Sequence, residues 1–268
     1  MDDAPAPAPR PVFLAPHYDD VALSCGGTVA LLADAGARPL VVTVFGGEPG
    51  GRALTAFARW QHERWGTAEA DTLATRRAED RAAAAILGCE TRWLPHLDAI
   101  YRGERYLSDE ALFGPLAPDE APLVGEIAAE VLSWPELGPG ATLYVPLAVC
   151  NHVDHQVVYR VGQLAAAGGR RALAYEDFPY AALSDELPRR LAAVRGEVGA
   201  AEVVPVGAAQ ARRIAATEAY RSQLPVIFRF TDDVPGAVGD NARRAGNGQF
   251  AERYWPLSPI ARAGKAAL

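Results

Sequence analysis

Three of the chain's five histidines fall inside two short polar clusters, Pro16-His17-Tyr18-Asp19-Asp20 and Asn151-His152-Val153-Asp154-His155. Imidazoles and carboxylates are the nitrogen and oxygen donors of a catalytic divalent-metal site, which takes three protein ligands and keeps one position open for water. His17 and Asp20 lie three residues apart, so a single turn aims both side chains at a common point. One His-x-Asp-His segment reads by default as a buried histidine beside a helix-capping aspartate. Two such clusters, each placed where an apolar run ends and a helical stretch begins, have little structural use and point to a metal site. His62 and His96 stand outside the clusters and read as core or surface histidines.

The elements that must position these clusters alternate along the chain. Residues 11–15 and 39–45 read as buried strands, the second an apolar run of the kind found in parallel sheets. Helical stretches follow at 26–35 and 75–87, stopped by Gly36 and Gly88. Further strands are expected at 91–94, 142–148 and 172–176, with helices at 120–133 and 154–167. Repeated strand–helix alternation predicts a Rossmann-like α/β fold, a mostly parallel sheet with helices on both faces. In such sheets the carboxyl edge of the strands is where ligands bind, and both clusters fall there. Residues 46–73 and 98–119 carry no clear period. The first brings Phe57, Trp60, His62 and Trp65 close together and reads either as a short surface helix or as a substrate lid.

Composition narrows the functional class. The 268 residues carry 33 acidic groups against 26 Lys plus Arg, a formal charge of −7, with no basic run that could follow a phosphate backbone. Nucleic acid is therefore excluded as a partner. No apolar run approaches the ~20 residues of a membrane span, and the acidic, proline-rich start lacks the form of a signal peptide. Three dispersed cysteines (Cys25, Cys89, Cys150) build no disulfide framework and fit a reducing, cytoplasmic setting. Residues 1–10 read as a disordered Pro/Ala-rich tail and 11–268 as a single α/β domain. Self-association is compatible with the sequence, which sets no oligomeric state.

Residues Pro16 to Asp20, with Gly26-Gly27-Thr28 after them, resemble the opening signature of the PIG-L/LmbE-type deacetylases, which remove acetyl groups from N-acetylglucosaminyl compounds. Arg76-Arg77-Ala78-Glu79 before Leu87-Gly88, and then His152-Val153-Asp154-His155, follow in the same order. Glu176-Asp177 with Pro179-Tyr180, and Tyr220-Arg221-Ser222-Gln223, resemble it more loosely. The resemblance spans about residues 11–255. The sequence departs from the commonest form of the first motif at Tyr18 and Val21, neither a ligand position, and Cys150 stands where some members carry a tyrosine.

Resemblance and chemistry together assign the roles. His17, Asp20 and His155 are the expected metal ligands, with Zn2+ the expected ion and Fe2+, Co2+ or Ni2+ also suited to the donor set. Asp19 is the expected general base, against a reading as helix N-cap. His152 is expected as an imidazolium that stabilises the oxyanion or protonates the leaving amine. Asp154 is expected to orient it and raise its pKa, or else to cap the following helix. Arg76 is expected to hold sugar hydroxyls or a phosphate, with the neighbouring Arg77 as the alternative, against a surface pairing of one of the two with Glu79. Gly26 and Gly27 admit a close backbone approach, while Cys25 and Cys150 read as small buried hydrophobes. The expected activity is metal-dependent removal of an N-acetyl group from an amino-sugar conjugate. An amidase acting on a larger acyl or thiol conjugate is the rival, and a non-catalytic nucleotide-binding domain the more distant one.

Overall fold

The computed structural model describes residues 9–66, 71–183 and 185–259. The expected tail lies mostly outside these residues, but Arg10 is tied down. Its amide donates to the Glu136 carbonyl over 3.0 Å, and its guanidinium lies 2.8 Å from the Glu90 carboxylate.

The elements run β1 (Val12–Ala15), α1 (Asp20–Asp34), β2 (Leu40–Thr43), α2 (Ala56–Arg64), α3 (Thr72–Leu87) and β3 (Glu90–Trp93). They continue as α4 (Asp109–Leu112), α5 (Ala121–Leu132), β4 (Thr142–Pro146), α6 (Val153–Ala167), β5 (Arg171–Tyr175) and α7 (Glu186–Ala193). The chain then forms β6 (Glu202–Pro205), α8 (Gln210–Glu218), α9 (Leu224–Ile227), α10 (Val234–Ala245) and β7 (Ala251–Pro256). Seven strands make one sheet in the order β3-β2-β1-β4-β5-β7-β6. Five are parallel in sequence, and β7 runs antiparallel to both its neighbours. The expected mostly parallel, Rossmann-like single domain is what forms. No helix among the described residues is long and apolar enough to cross a membrane.

Both faces of the sheet are covered, which is why β1 and β2 read as unbroken apolar runs. Val12 and Leu14 turn to the side of α5 and α6, whereas Phe13 and Ala15 turn to the side of α1, α3 and α8. The chain lays β2 and β3 on one side of β1 and then returns to lay β4 on the other. Strand order therefore reverses between β1 and β4, the switch point at which open α/β sheets leave a crevice. The two polar clusters follow these two strands.

The first helix begins at Asp20, six residues before the position expected from the sequence, because it is broken at Cys25, where φ is −142°. The break frees backbone donors, and the Glu252 carboxylate from β7 accepts from Gly27 N (2.9 Å), Thr28 N (2.8 Å) and Thr28 Oγ1 (2.6 Å). Arg213 of α8, fully buried, pairs with Glu252 at 3.4 Å and donates to the Leu23 carbonyl on the other side of the break. Gly27 is what allows this closeness, since a Cβ there would meet Val206 Cβ at 2.7 Å and Glu252 Oε1 at 2.9 Å. Gly27→Ala is expected to destabilise the fold by about 1–3 kcal/mol, the usual cost of overpacking. Chemical denaturation measures this; an unchanged midpoint would mean that the contact relaxes freely.

The two stretches without period are now assigned. Residues 46–73 contain α2, and Gln61, Arg64 and Trp65 from it and its end line a cavity at the sheet edge. Residues 98–119 contain a short 3-10 turn and α4, and Asp98, Ile100, Asp109, Leu112 and Phe113 line the same cavity. The elements after residue 176 have no counterpart in the sequence-based expectation.

Candidate metal centre

The loop after β1 and the start of α1 carry His17, Asp19 and Asp20, and the start of α6 carries His152, Asp154 and His155. The Asp20 carboxylate fixes the first turn by accepting from His17 N over 2.7 Å. One donor atom each from His17, Asp20 and His155 lies within 4.8 Å of the others. His17 Nδ1 is 3.5 Å from Asp20 Oδ2, and His155 Nε2 is 3.5 Å from Asp20 Oδ1. The remaining ring nitrogens face away, each onto a buried carboxylate. His17 Nε2 bonds Asp154 Oδ2 over 3.0 Å, and His155 Nδ1 bonds Asp177 Oδ1 over 2.5 Å. A carboxylate behind each imidazole is the arrangement that fixes the ring and tautomer of a metal-binding histidine. Two further groupings, His17 with His152 and Asp154, and Cys150 with His155 and Asp177, also bring donor atoms within that distance. In both, carboxylate and imidazole are already hydrogen-bonded partners.

Charge points the same way. Five carboxylates (Asp19, Asp20, Asp98, Asp154, Asp177) crowd the centre, against the guanidiniums of Arg76 and Arg102. Burial alone disfavours an imidazolium at His17, yet Asp98, Asp154 and Asp20 outweigh it and lift its pKa to about 10. Burial likewise opposes charge on His155, and Asp20, Cys150 and Asp177 lift it well above its ordinary value. Asp20 is pulled down to about 2, against its own burial, by His155 and His17. The centre therefore demands positive charge between the two imidazoles and Asp20, and a nitrogen–oxygen donor set of this kind fits a divalent cation.

Asp19 stands at the N-cap position of α1 but makes no capping hydrogen bond; its carboxylate lines the cavity instead. Burial, and then the neighbouring Asp20, push its pKa up. His152 takes the cap of α6, its Nδ1 accepting from the Asp154 amide over 3.2 Å.

Around Asp154 the hydrogen bonds differ from the expected pairing with His152. The Asp154 carboxylate, fully buried, is held by His17, by Ala99 N (3.0 Å) and by Arg102 (2.6 Å), so it backs His17 rather than His152. Burial, dominant over the nearby Asp154, drives the His152 pKa well below its ordinary value. Its surroundings thus favour the neutral ring over the imidazolium. With Nδ1 acting as acceptor, Nε2 carries the proton.

Arg76 lies along the cavity, 6% exposed, with its guanidinium 5.1 Å from the Tyr18 ring centre and 5.0 Å from that of Trp65. Its Nε has no hydrogen-bond partner among the described residues. The alternative pairing with Glu79 does not form, because that carboxylate accepts from Ser222 N and Oγ over 2.8 and 2.7 Å. Arg77 turns outward to Glu48 and the Gly46 carbonyl. His62 is buried and bonded to the Tyr101 hydroxyl over 2.6 Å, while His96 meets Glu130 at 3.3 Å. Three groups at the centre were missing from the sequence-based set. Asp177 follows β5 in the Glu176-Asp177 pair, and its strand-end position was a usable signal. Asp98 and Arg102 sit in an aperiodic stretch and gave none. Asp98 Oδ2 is 3.7 Å from His17 Nε2.

Fold and site together define the class: an α/β protein offering two imidazoles and a carboxylate on the floor of a cavity of about 470 Å³. The chain belongs to the PIG-L family, described as GlcNAc-PI de-N-acetylase, whose model matches residues 12–166. Over 267 residues it is 35% identical to the 2'-N-acetylparomamine deacetylase of Streptomyces fradiae, covering 96% of this chain and 85% of that one. It is 34% identical to the protein of the same name from Niallia circulans over 185 residues, 63% of this chain and 66% of the relative. Among solved structures, the zinc-inhibited form of teicoplanin deacetylase aligns with a TM-score of 0.80 at 26% identity, over 95% of this chain and all 100% of that one.

Proposed function

We propose that the protein is a metal-dependent hydrolase that removes the N-acetyl group from an amino-sugar conjugate, with His17, Asp20 and His155 as the metal ligands. The observation that carries this reading is the convergence of those three donor atoms within 4.8 Å on the floor of a substrate-sized cavity, with Asp19 and His152 beside them. Deacetylase relatives acting on acetylated amino sugars support the substrate class. Zinc is the proposed ion, since two imidazoles and a carboxylate suit it. A small-molecule substrate and a cytoplasmic setting belong to the same proposal.

When bound, the divalent ion polarises the acetamide carbonyl and makes a water easier to deprotonate. Asp19, its basicity raised by burial, takes the proton from that water as the oxygen attacks the acetyl carbon. Negative charge grows on the carbonyl oxygen, and the neutral His152 ring donates its Nε2–H to it. Asp19 then returns the proton to the amine nitrogen as the C–N bond breaks, leaving acetate and a free amino sugar. Arg76 holds sugar oxygens, its guanidinium kept in place by the Tyr18 and Trp65 rings. Asp154 and Asp177 keep His17 and His155 in the tautomers that present Nδ1 and Nε2 to the ion.

Chelation is expected to abolish acetate release from N-acetylglucosaminides, and one equivalent of Zn2+ is expected to restore it. Acetate release that survives complete metal removal, verified by elemental analysis, would overturn the reading.

A further inference from the structure

Of the two guanidiniums at the centre, Arg76 lines the cavity and Arg102 does not. Arg102 ends the 3-10 turn Ala99–Tyr101, its guanidinium 5.1 Å from the Phe45 ring centre and 5.4 Å from that of Tyr106. All three of its guanidinium nitrogens donate. Nη1 reaches Asp154 Oδ1 over 2.6 Å and the Leu97 carbonyl over 2.9 Å. Nε and Nη2 form a fork on the buried Glu120 carboxylate, at 2.8 and 3.1 Å, and Tyr106 donates its hydroxyl to Glu120 over 2.7 Å. The other oxygen of Asp154, Oδ2, meets His17 Nε2 and Ala99 N, each over 3.0 Å. A row of alternating charge therefore runs from the centre through Asp154 to Arg102 and Glu120.

We propose that Arg102 is a positioning residue for the metal centre: by clamping Asp154 Oδ1 it holds Oδ2 on the His17 ring, and so sets how tightly His17 binds the ion. The inference rests on the ligand set proposed above. Asp154 is fully buried, so an oxygen that loses its donor there finds no water to replace it. Without Arg102 the carboxylate turns to share its two remaining donors between both oxygens, and its bond to His17 loosens. A firm acceptor at Nε2 is what keeps the ring proton on that side. Once it loosens, the proton is free to sit on Nδ1, the nitrogen that faces Asp20 and has to stay open for the ion. Glu120 separates this role from plain cross-linking of the loop. It takes the fork, yet it has no hydrogen bond to Asp154 or His17 among the described residues. If Arg102 only tied down residues 97–120, losing Glu120 would matter to the metal as much as losing Arg102.

The test measures Zn2+ affinity by chelator competition, with stability followed by chemical denaturation on the same samples. Arg102→Met is expected to weaken Zn2+ binding about 10–100-fold, the usual worth of a partner behind a ligand. Glu120→Gln is expected to lose stability and keep its Zn2+ affinity. Should Arg102→Met not fold, Arg102→Met/Glu120→Gln takes its place, because removing both charges of a buried pair is often neutral for folding. Its Zn2+ affinity is expected to stay as low. In an Asp154→Asn background, Arg102→Met is expected to weaken binding no further, since both changes act through the same ring. Wild-type affinity in the folded Arg102 variants, an equal loss in Glu120→Gln, or full additivity with Asp154→Asn would each overturn the proposal. Failure of the ligand reading would look different, with no Zn2+ bound even by the wild-type protein. The ring proton then decides. In metal-free protein, nitrogen-15 NMR is expected to show His17 Nε2–H protected from solvent exchange in wild type and Glu120→Gln, and unprotected in the Arg102 variants. Equal protection in all of them overturns the proposal.

Discussion

Asp19→Asn is expected to keep its metal and lose about 10²–10⁴-fold in turnover, the usual worth of a general base. The amide is nearly isosteric and leaves the turn intact, because the Asp19 side chain caps nothing in α1. It does not accept a proton. Burial and the Asp20 charge raise the Asp19 pKa, which makes the carboxylate a stronger base. Steady-state kinetics on the fully metallated variant check this, with metal content measured on the same sample. Near wild-type turnover with metal bound would place the base elsewhere.

His155→Ala is expected to lose metal and activity together. It removes one of the three proposed ligands, so the affinity loss should exceed the roughly 10–100-fold that follows removal of a hydrogen-bond partner behind a ligand. The variant also strands Asp177, whose carboxylate otherwise spends one oxygen on His155 Nδ1 and the other on Val149 N at 3.0 Å. Elemental analysis after dialysis reads occupancy directly. A fully metallated His155→Ala would sink the ligand assignment. Loss of metal in His152→Ala instead would move the third ligand to His152.

How much of this was legible in the sequence depended on whether the information is local. The strands β1 and β2 are apolar on both faces, so their runs stand out without any knowledge of partners. β7 carries Glu252 and Arg253 between apolar residues, and β6 lies at the sheet edge with every second residue exposed. Neither shows the unbroken run that marks a covered parallel strand. The true start of α1 was hidden for a related reason. Gly26-Gly27 looks like a beginning, yet the helix runs from Asp20 and is broken beside those glycines, and Glu252 from the far end of the chain satisfies the break.

The site divides in the same way. His17, Asp19 and Asp20 were readable because their spacing within one turn is itself the signal, and His155 because it stands in a second such cluster. The partner of Asp154 was not, because adjacency in sequence pointed to His152 while the fold delivers the carboxylate to His17 from 137 residues away. Arg102 and Asp98 reach the centre only because residues 98–119 wrap over the sheet edge, a path no periodicity announces.

The break in α1 also bears on the order in which the chain can become functional. The proposed ligands His17, Asp20 and His155 all precede the end of α6, and the family match itself stops at residue 166. Asp177, Arg213 and Glu252 do not. A nascent chain at that stage owns every ligand but lacks the carboxylate behind His155 and the ion pair that fixes the first turn of α1 against the rest of the helix. On the proposed ligand set, the centre is therefore complete only once β7 has taken its place between β5 and β6.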